Sequence, residues 1–404
     1  MKHVFTPADI LLPKKGKMED WAVIACDQFS SEKEYWDRVS HRVEKTPSTL
    51  HMVVPEAWLG EVSMEEASRE RNETMAKYVN DDLFQTYPNT FVYVEREISG
   101  GKIRRGVVGK LDLEAYDFRA GVFPPARASE KTVIERLPPR IKVRSSACLE
   151  MPHVLVLIDD EGRHAVEPLT EQKSDFEVLY DFDLMEEGGH ITGYRLTPSA
   201  TNAFVEAIDC LGTRDVQFVI GDGNHSLAAA KEIWREVKKS LSPDQIHDHP
   251  ARFALVEVCN VYDDGIEFEP IHRIVFDGDP NEILNLLAKH SDPVNGRPIR
   301  YLNNGKEGEL LIRNESLGSL IGIIESVLDT YAKETSAVVD YIHDEASLIK
   351  LAERENSLAL FMPLMNKADL FQTVERSGVF PKKSFSIGHA RDKRYYLECR
   401  KIKK

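Results

Sequence analysis

Apolar and polar positions along the chain recur with two periods, and the changes between them mark the elements. Alternation either side of "SGGK" in "NTFVYVEREISGGKIRRGVVGKLDL" predicts a β-hairpin. Short continuous apolar runs predict buried strands at 22–25 ("AVIA"), in "HVLVLIDD", in "QFVI" and in "RFALVEVCNVY". Residues 178–183 and 190–196 read as two more strands around "MEEGG". Ser31, with Glu34 three residues on, has capping-box spacing and places a helix start near 32. Residues 64–80 read as a helix. Thr197 caps another, with Pro198 at its first position and a buried stripe of Ala200, Phe204, Ala207, Ile208 and Leu211. A further helix follows residue 223, with Leu227, Ala230, Trp234, Val237 and Leu241 on one face and Lys231, Arg235, Glu236 and Lys239 largely outside it.

Strands that alternate with helices predict an α/β (α+β) fold with a mixed sheet. Beyond 277 the chain again alternates helices and short strands, which predicts two α/β domains, 1–276 and 277–404. The segment 380–398, "FPKKSFSIGHARDKRYYLE", is expected to pack back on the first.

Composition narrows the class. The chain has 404 residues, 42% hydrophobic and 29% charged, a globular balance. No apolar run approaches the roughly 20 residues that span a bilayer. The start "MKHVFTPADILLPKKGK" lacks the unbroken apolar core of a signal peptide, so the expected location is cytoplasmic. A net charge of −15, from 67 acids against 52 bases, disfavours a nucleic-acid partner and leaves a small molecule as the expected one. The five cysteines form no CxxC pair, which argues against a disulfide framework or a cysteine zinc site; Cys210 and Cys259 sit in apolar patterns and read as small core residues. Oligomeric state is left open.

The candidate chemistry lies in "QFVIGDGNHSLAAAKEIW", 217–234, where a buried strand runs into a helix through two glycines, an acid, an amide and a histidine. A helix N-terminus offers unpaired N–H groups, and Gly221 and Gly223 let the backbone approach an anion such as a phosphate. Gly221, Gly223 and Ser226 nearly match a dinucleotide fingerprint, with Ser226 at the third glycine position. Asp222 would repel a bare phosphate, so it points to a Mg²⁺-nucleotide with Asp222 as metal ligand, or to a general base. Asn224 and His225 supply donors for phosphate oxygens. The ordinary alternative is a turn, since Asp-Gly and Gly-Asn are common turn pairs and Asn224 or Ser226 could merely cap the helix. Outside the loop, Arg127, Arg136, Arg140 and Arg144 fall within 18 residues and could clamp phosphates or form a solvated face. Lys382 and Lys383 form a basic turn, and Asp27 follows a strand end where a catalytic acid often lies.

"FVIGDGNHSLAAAK" resembles the "ADGHHRYEAA" signature of the bacterial and archaeal family known as domain of unknown function 1015. "VIACDQFSSEKEYW", "LYDFDLMEEGGHITGYRLT" and "FPKKSFSIGHARDKRYYLE" are similar to other blocks of that family. The loop is also distantly similar to the nucleotide site of ParB/sulfiredoxin-like proteins, which include a free-serine kinase, and this resemblance implies a core of that type. It implies that Asp222 is a catalytic or metal-linked acid and that Asn224 and His225 hold phosphates. Here Asn224 replaces the first histidine of the signature and Ser226 its arginine, and the reactive cysteine of sulfiredoxin is absent. The implied function is a nucleotide-dependent phosphotransferase, a small-molecule kinase with free serine among its candidate substrates. Asp222 and His225, with Asp27 or Glu130 as second acid, are the catalytic candidates. Gly221, Gly223, Asn224, Ser226, Arg127, Arg140, Arg144 and Lys383 are the candidates for holding a nucleoside di- or triphosphate with Mg²⁺. The alternatives are a non-catalytic nucleotide or metabolite sensor and, on the near-fingerprint, a dinucleotide-dependent oxidoreductase.

Overall fold

The structure, a computed structural model, describes residues 3–403 apart from 15, 61, 120, 213, 214 and 315. The chain divides into two compact units, one comprising Met1–Ala128, Thr132–Ile266 and Gly388–Lys404, the other Ser129–Lys131 and Glu267–Ile387. Both are mixed α/β structures.

The first unit is built on a ten-stranded mixed sheet. Its centre runs from the hairpin Val92–Ile98 and Lys102–Asp112, through Phe253–Asn260 and Leu155–Ile158, to Phe218–Asp222 and Ala126–Ala128. The pair Leu155–Ile158 and Phe253–Asn260 is parallel, as is Phe218–Asp222 with Ala126–Ala128, whereas Leu155–Ile158 and Phe218–Asp222 run antiparallel. Successive residues of one strand enter different cores. Val92, Val94, Val108 and Leu255 pack with Trp21 and Trp36, while Phe91, Tyr93, Val107 and Val256 pack with Phe204, Phe218 and Trp234. The sheet is therefore covered on both faces, which accounts for the uninterrupted apolar runs of its central strands.

Local signals placed most helices. Helices run over Met64–Asn80 and Pro198–Leu211, with Thr197 Oγ1 accepting from Ala200 N. The helix expected near 32 spans Lys33–Val43, but its N-cap is Glu32 and no side chain caps it, so the Ser31–Glu34 spacing is not a capping box. Cys210 is exposed rather than in the core, because its helix buries Ala200, Phe204 and Ile208 and turns Cys210 to the opposite side; Cys259 is buried as expected. Lys231 is buried instead of lying outside the apolar stripe, and its Nζ donates to the Leu113 carbonyl at 2.6 Å. A long amphipathic stem can be buried in this way when its ammonium finds an acceptor.

The C-terminal residues stitch the first unit together. Tyr395–Tyr396 pairs with Val23–Ile24, and Arg400–Lys401 pairs with Leu149–Glu150. The second unit holds a five-stranded antiparallel sheet in the order Lys306–Ile312, Arg297–Asn303, Leu358–Phe361, His272–Phe276, Val338–Ile342. Its longest helix is Leu317–Glu334. Among the described residues no helix is long and apolar enough to cross a membrane.

Candidate functional site

The strand Phe218–Asp222 ends in a bulge. Leu155 pairs with Asp222 and Val156 with Ile220, which leaves Gly221 as the extra residue. A bulge of this kind re-aims the side chain that follows it. Gly223 then adopts φ +77°, and the helix Asn224–Lys238 begins with Gly223 as its N-cap and no side-chain cap. Neither Asn224 nor Ser226 caps that helix; the Asn224 amide reaches back to the Ile220 carbonyl at 3.5 Å. A Cβ on Gly223 would lie 3.0 Å from both Cα and Cγ2 of Val154, so glycine is required by close approach as well as by φ. Asp222 Oδ1 accepts from Gly223 N at 2.8 Å, and its other oxygen pairs with Lys393 Nζ at 3.0 Å.

Four chain segments converge on this loop. Lys393 comes from the C-terminal segment, whose backbone is gripped from the central hairpin: Arg96 donates to the carbonyls of Arg391 and Lys393, and Arg104 to that of Asp392. Arg394 is buried and binds Glu257 at 2.6 Å, Glu398 at 2.8 Å and the Pro152 carbonyl at 3.0 Å. That last bond ties the C-terminal segment to the entry of the strand Leu155–Ile158, where His153 lies. His153 Nε2 and Ser226 Oγ share a hydrogen bond of 3.0 Å. Asp27, just beyond the strand Val23–Ile24, accepts from Gln28 Nε2 at 3.0 Å. Arg140, on the helix Leu137–Ser146, pairs with Glu56.

The charges interact. Burial pushes the Asp27 carboxyl up, but His153, the Gln28 bond, Arg140 and Lys393 outweigh it and hold the group below its ordinary range. Burial lowers the His153 imidazole, Arg140 and Arg394 add to that, and Asp27 and Asp222 oppose it, with a net downward shift. Cys26 is pushed up to about 12 by burial first and Asp27 second, which leaves it a neutral thiol. A cleft of about 170 Å³ opens beside this cluster, with Cys26, Arg140, His153, Ser226 and Tyr396 in its wall.

The other anticipated residues are placed as follows. His225 faces Val133, whose N–H donates to its Nε2 at 3.2 Å. Arg144 binds Glu150 Oε2 at 2.5 Å, and Glu150 also accepts from Arg400 at 2.6 Å. Arg127 donates to the carbonyls of Pro124 and Asp215, at the opposite end of Phe218–Asp222 from the loop. Glu130 and Lys383 belong to the second unit, where Glu130 accepts from Ser384 N at 2.9 Å and burial raises its carboxyl. Among the described residues no three or more His, Cys, Asp or Glu side chains gather as a metal site. His153, Lys393 and Glu56 were not anticipated. Their only local signals are a histidine after proline at the entry of a buried strand, and a lysine within "RDKRYY".

The model of a family described as protein of unknown function (DUF1015) matches residues 6–371. The chain belongs to this family. No curated protein matches it. Among solved structures it is similar to a free serine kinase in complex with AMP, with 12% identity, a TM-score of 0.41, and 76% of this chain and 95% of that one covered. It is similar to SbnI with C-terminal truncation from Staphylococcus aureus, with 10% identity, a TM-score of 0.39, and coverage of 70% and 82%. It is also similar to a conserved hypothetical protein from Pyrococcus furiosus, with 12% identity, a TM-score of 0.35, and coverage of 71% and 90%.

Proposed function

We propose that the loop at 221–226 is the centre of a nucleotide-dependent phosphotransferase site acting on a small hydroxyl compound. The observation that carries this reading is the convergence of Asp27, His153 and Lys393, from three distant segments, on an acid-bearing glycine loop at a helix N-terminus. Phosphoryl transfer asks mainly for positioning and charge neutralisation, and these residue types supply both. In this reading the N–H groups that open the helix face phosphate oxygens. Arg140 and Lys393 offset the acids that would otherwise face the phosphates, Glu56 and Asp222. The substrate hydroxyl oxygen attacks the terminal phosphorus, the bridging O–P bond breaks, and its electron pair leaves on the nucleotide. Asp27, held ionised at neutral pH, accepts the hydroxyl proton. Mg²⁺ commonly uses one or two carboxylates together with substrate phosphates, so Asp222 fits an ion that arrives on the nucleotide.

The test is ³¹P NMR of the full chain with ATP or ADP, Mg²⁺ and a panel of hydroxylated metabolites. The expected result is a new phosphate ester that disappears in Asp27→Asn while nucleotide binding persists. Absence of turnover with every donor, together with absence of nucleotide binding by calorimetry, would overturn the reading.

A further inference from the structure

The cleft beside the loop is lined by two chemically different sets of side chains. His153 and Ser226 form part of its wall and share the hydrogen bond that borders the loop, and Cys26 lies with them. Met52, Met75, Val143, Leu149, Ala230 and Leu255 supply an apolar wall. The charged groups in the wall are already engaged, Arg140 with Glu56 and Arg144 with Glu150. Free serine carries one CH₂OH and has no apolar surface to place against methionine, valine and leucine.

From this we infer that the hydroxyl substrate carries an apolar body, a branched alkyl or aryl group of about six carbons, which occupies this cleft while its polar end faces His153 and Ser226. The inference rests on the phosphotransferase reading for the word substrate and names the substrate class. The size follows from volume: an apolar cavity of about 150 Å³ admits benzene, and this cleft offers about 170 Å³. Methionine walls suit such a guest because the flexible thioether adapts to its outline. A purine fits the wall less well, since its edge of ring nitrogens and amino group needs donors and acceptors along its length.

The test is calorimetric titration of the full chain, without nucleotide, with L-serine, L-β-phenylserine and 2-phenylethanol. The two aryl compounds are expected to bind at least about tenfold more tightly than L-serine, the lower end of what one well-placed methylene contributes in an apolar pocket. Val143→Phe, which fills the cleft, is expected to abolish that preference. Leu59→Trp, at a residue of the wall that is already 41% exposed, provides a second block that does not enlarge a core side chain. Equal or tighter binding of L-serine, no binding of either aryl compound, or loss of aryl binding on adding AMP would each overturn the inference, the last because the cleft would then hold the base. Aryl binding without phosphoryl transfer would sink only the phosphotransferase reading. Transfer to L-serine with no aryl binding would sink only this one.

Discussion

The Asp222–Lys393 pair carries a measurable share of the stability of the first unit, and Lys393→Met isolates it. The two charges lie 3.0 Å apart, with side chains 29% and 11% exposed. Exposed pairs contribute about 0.2–1 kcal/mol, whereas removing one partner of a fully buried pair costs about 3–5 kcal/mol. Partial exposure places this pair between those limits, at about 1–2 kcal/mol of coupling. Lys393→Met should cost more than Asp222→Asn, because it leaves both Asp222 and Asp27 without the ammonium that offsets them. Replacing both residues should recover part of the loss.

All four tryptophans, Trp21, Trp36, Trp58 and Trp234, lie in the first unit, so their fluorescence during urea unfolding follows that unit alone. A cycle of wild type, Lys393→Met, Asp222→Asn and the double variant then yields the coupling. Distant independent sites add within about 0.3–0.5 kcal/mol. Coupling inside that band would mean that Lys393 is a solvated neighbour rather than the partner of the loop acid.

Three other outcomes follow from the same geometry. Glu257→Ala removes the carboxylate between Arg394 and Arg104 and should cost about 3–5 kcal/mol in the same fluorescence assay, as expected when a buried cation is left unpaired; a loss below about 1 kcal/mol would contradict the network. Gly223→Ala places a Cβ 3.0 Å from Val154 at φ +77° and should cost about 1–3 kcal/mol by thermal unfolding, with an unchanged midpoint refuting the strain argument. His153 has a folded pKa below its unfolded value of about 6.5, so the stability it contributes is present above that pH and is lost as pH falls through the folded value. Wild type should therefore lose stability relative to His153→Asn between pH 7 and pH 5, and a difference that stays constant over that interval would refute the shift.

What the sequence made legible was what adjacent residues decide. Thr197 and Pro198 start a helix through bonds within one turn, and the DG pair ends a strand because only glycine tolerates φ +77° against Val154. Ser31 misled because Glu32 occupies the N-cap, one residue from the position the spacing implied. Cys210 and Lys231 misled because an apolar pattern does not say how wide the buried stripe is. Asp27, Asp222, Arg140 and Ser226 were legible as residue types, but their convergence with His153 and Lys393 was not. That depends on Tyr395–Tyr396 and Arg400–Lys401 pairing with strands that lie hundreds of residues earlier, in two-residue ladders with no periodicity of their own. The buried arginines that hold those residues, Arg96, Arg104 and Arg394, look in sequence like surface charges, the commonest setting for arginine.

The balance of charge at the loop leads to a final expectation. The side chains that face one another there are three acids, Asp27, Asp222 and Glu56, against two bases, Arg140 and Lys393. Each base already answers an acid, so a nucleotide that brings two or more negative charges meets a cluster with no positive excess. Backbone N–H groups at a helix N-terminus contribute only about half an elementary charge. A divalent cation carried on the phosphates changes the sign of that encounter and gives Asp222 something to face. Calorimetric binding of ADP to the full chain should therefore strengthen at least about tenfold when EDTA is replaced by Mg²⁺, and Asp222→Asn should shrink that gain. Equal ADP affinity with and without Mg²⁺ would mean that Lys393 leaves Asp222 to meet the phosphates by itself, and the acid in the loop would then have no metal-linked role.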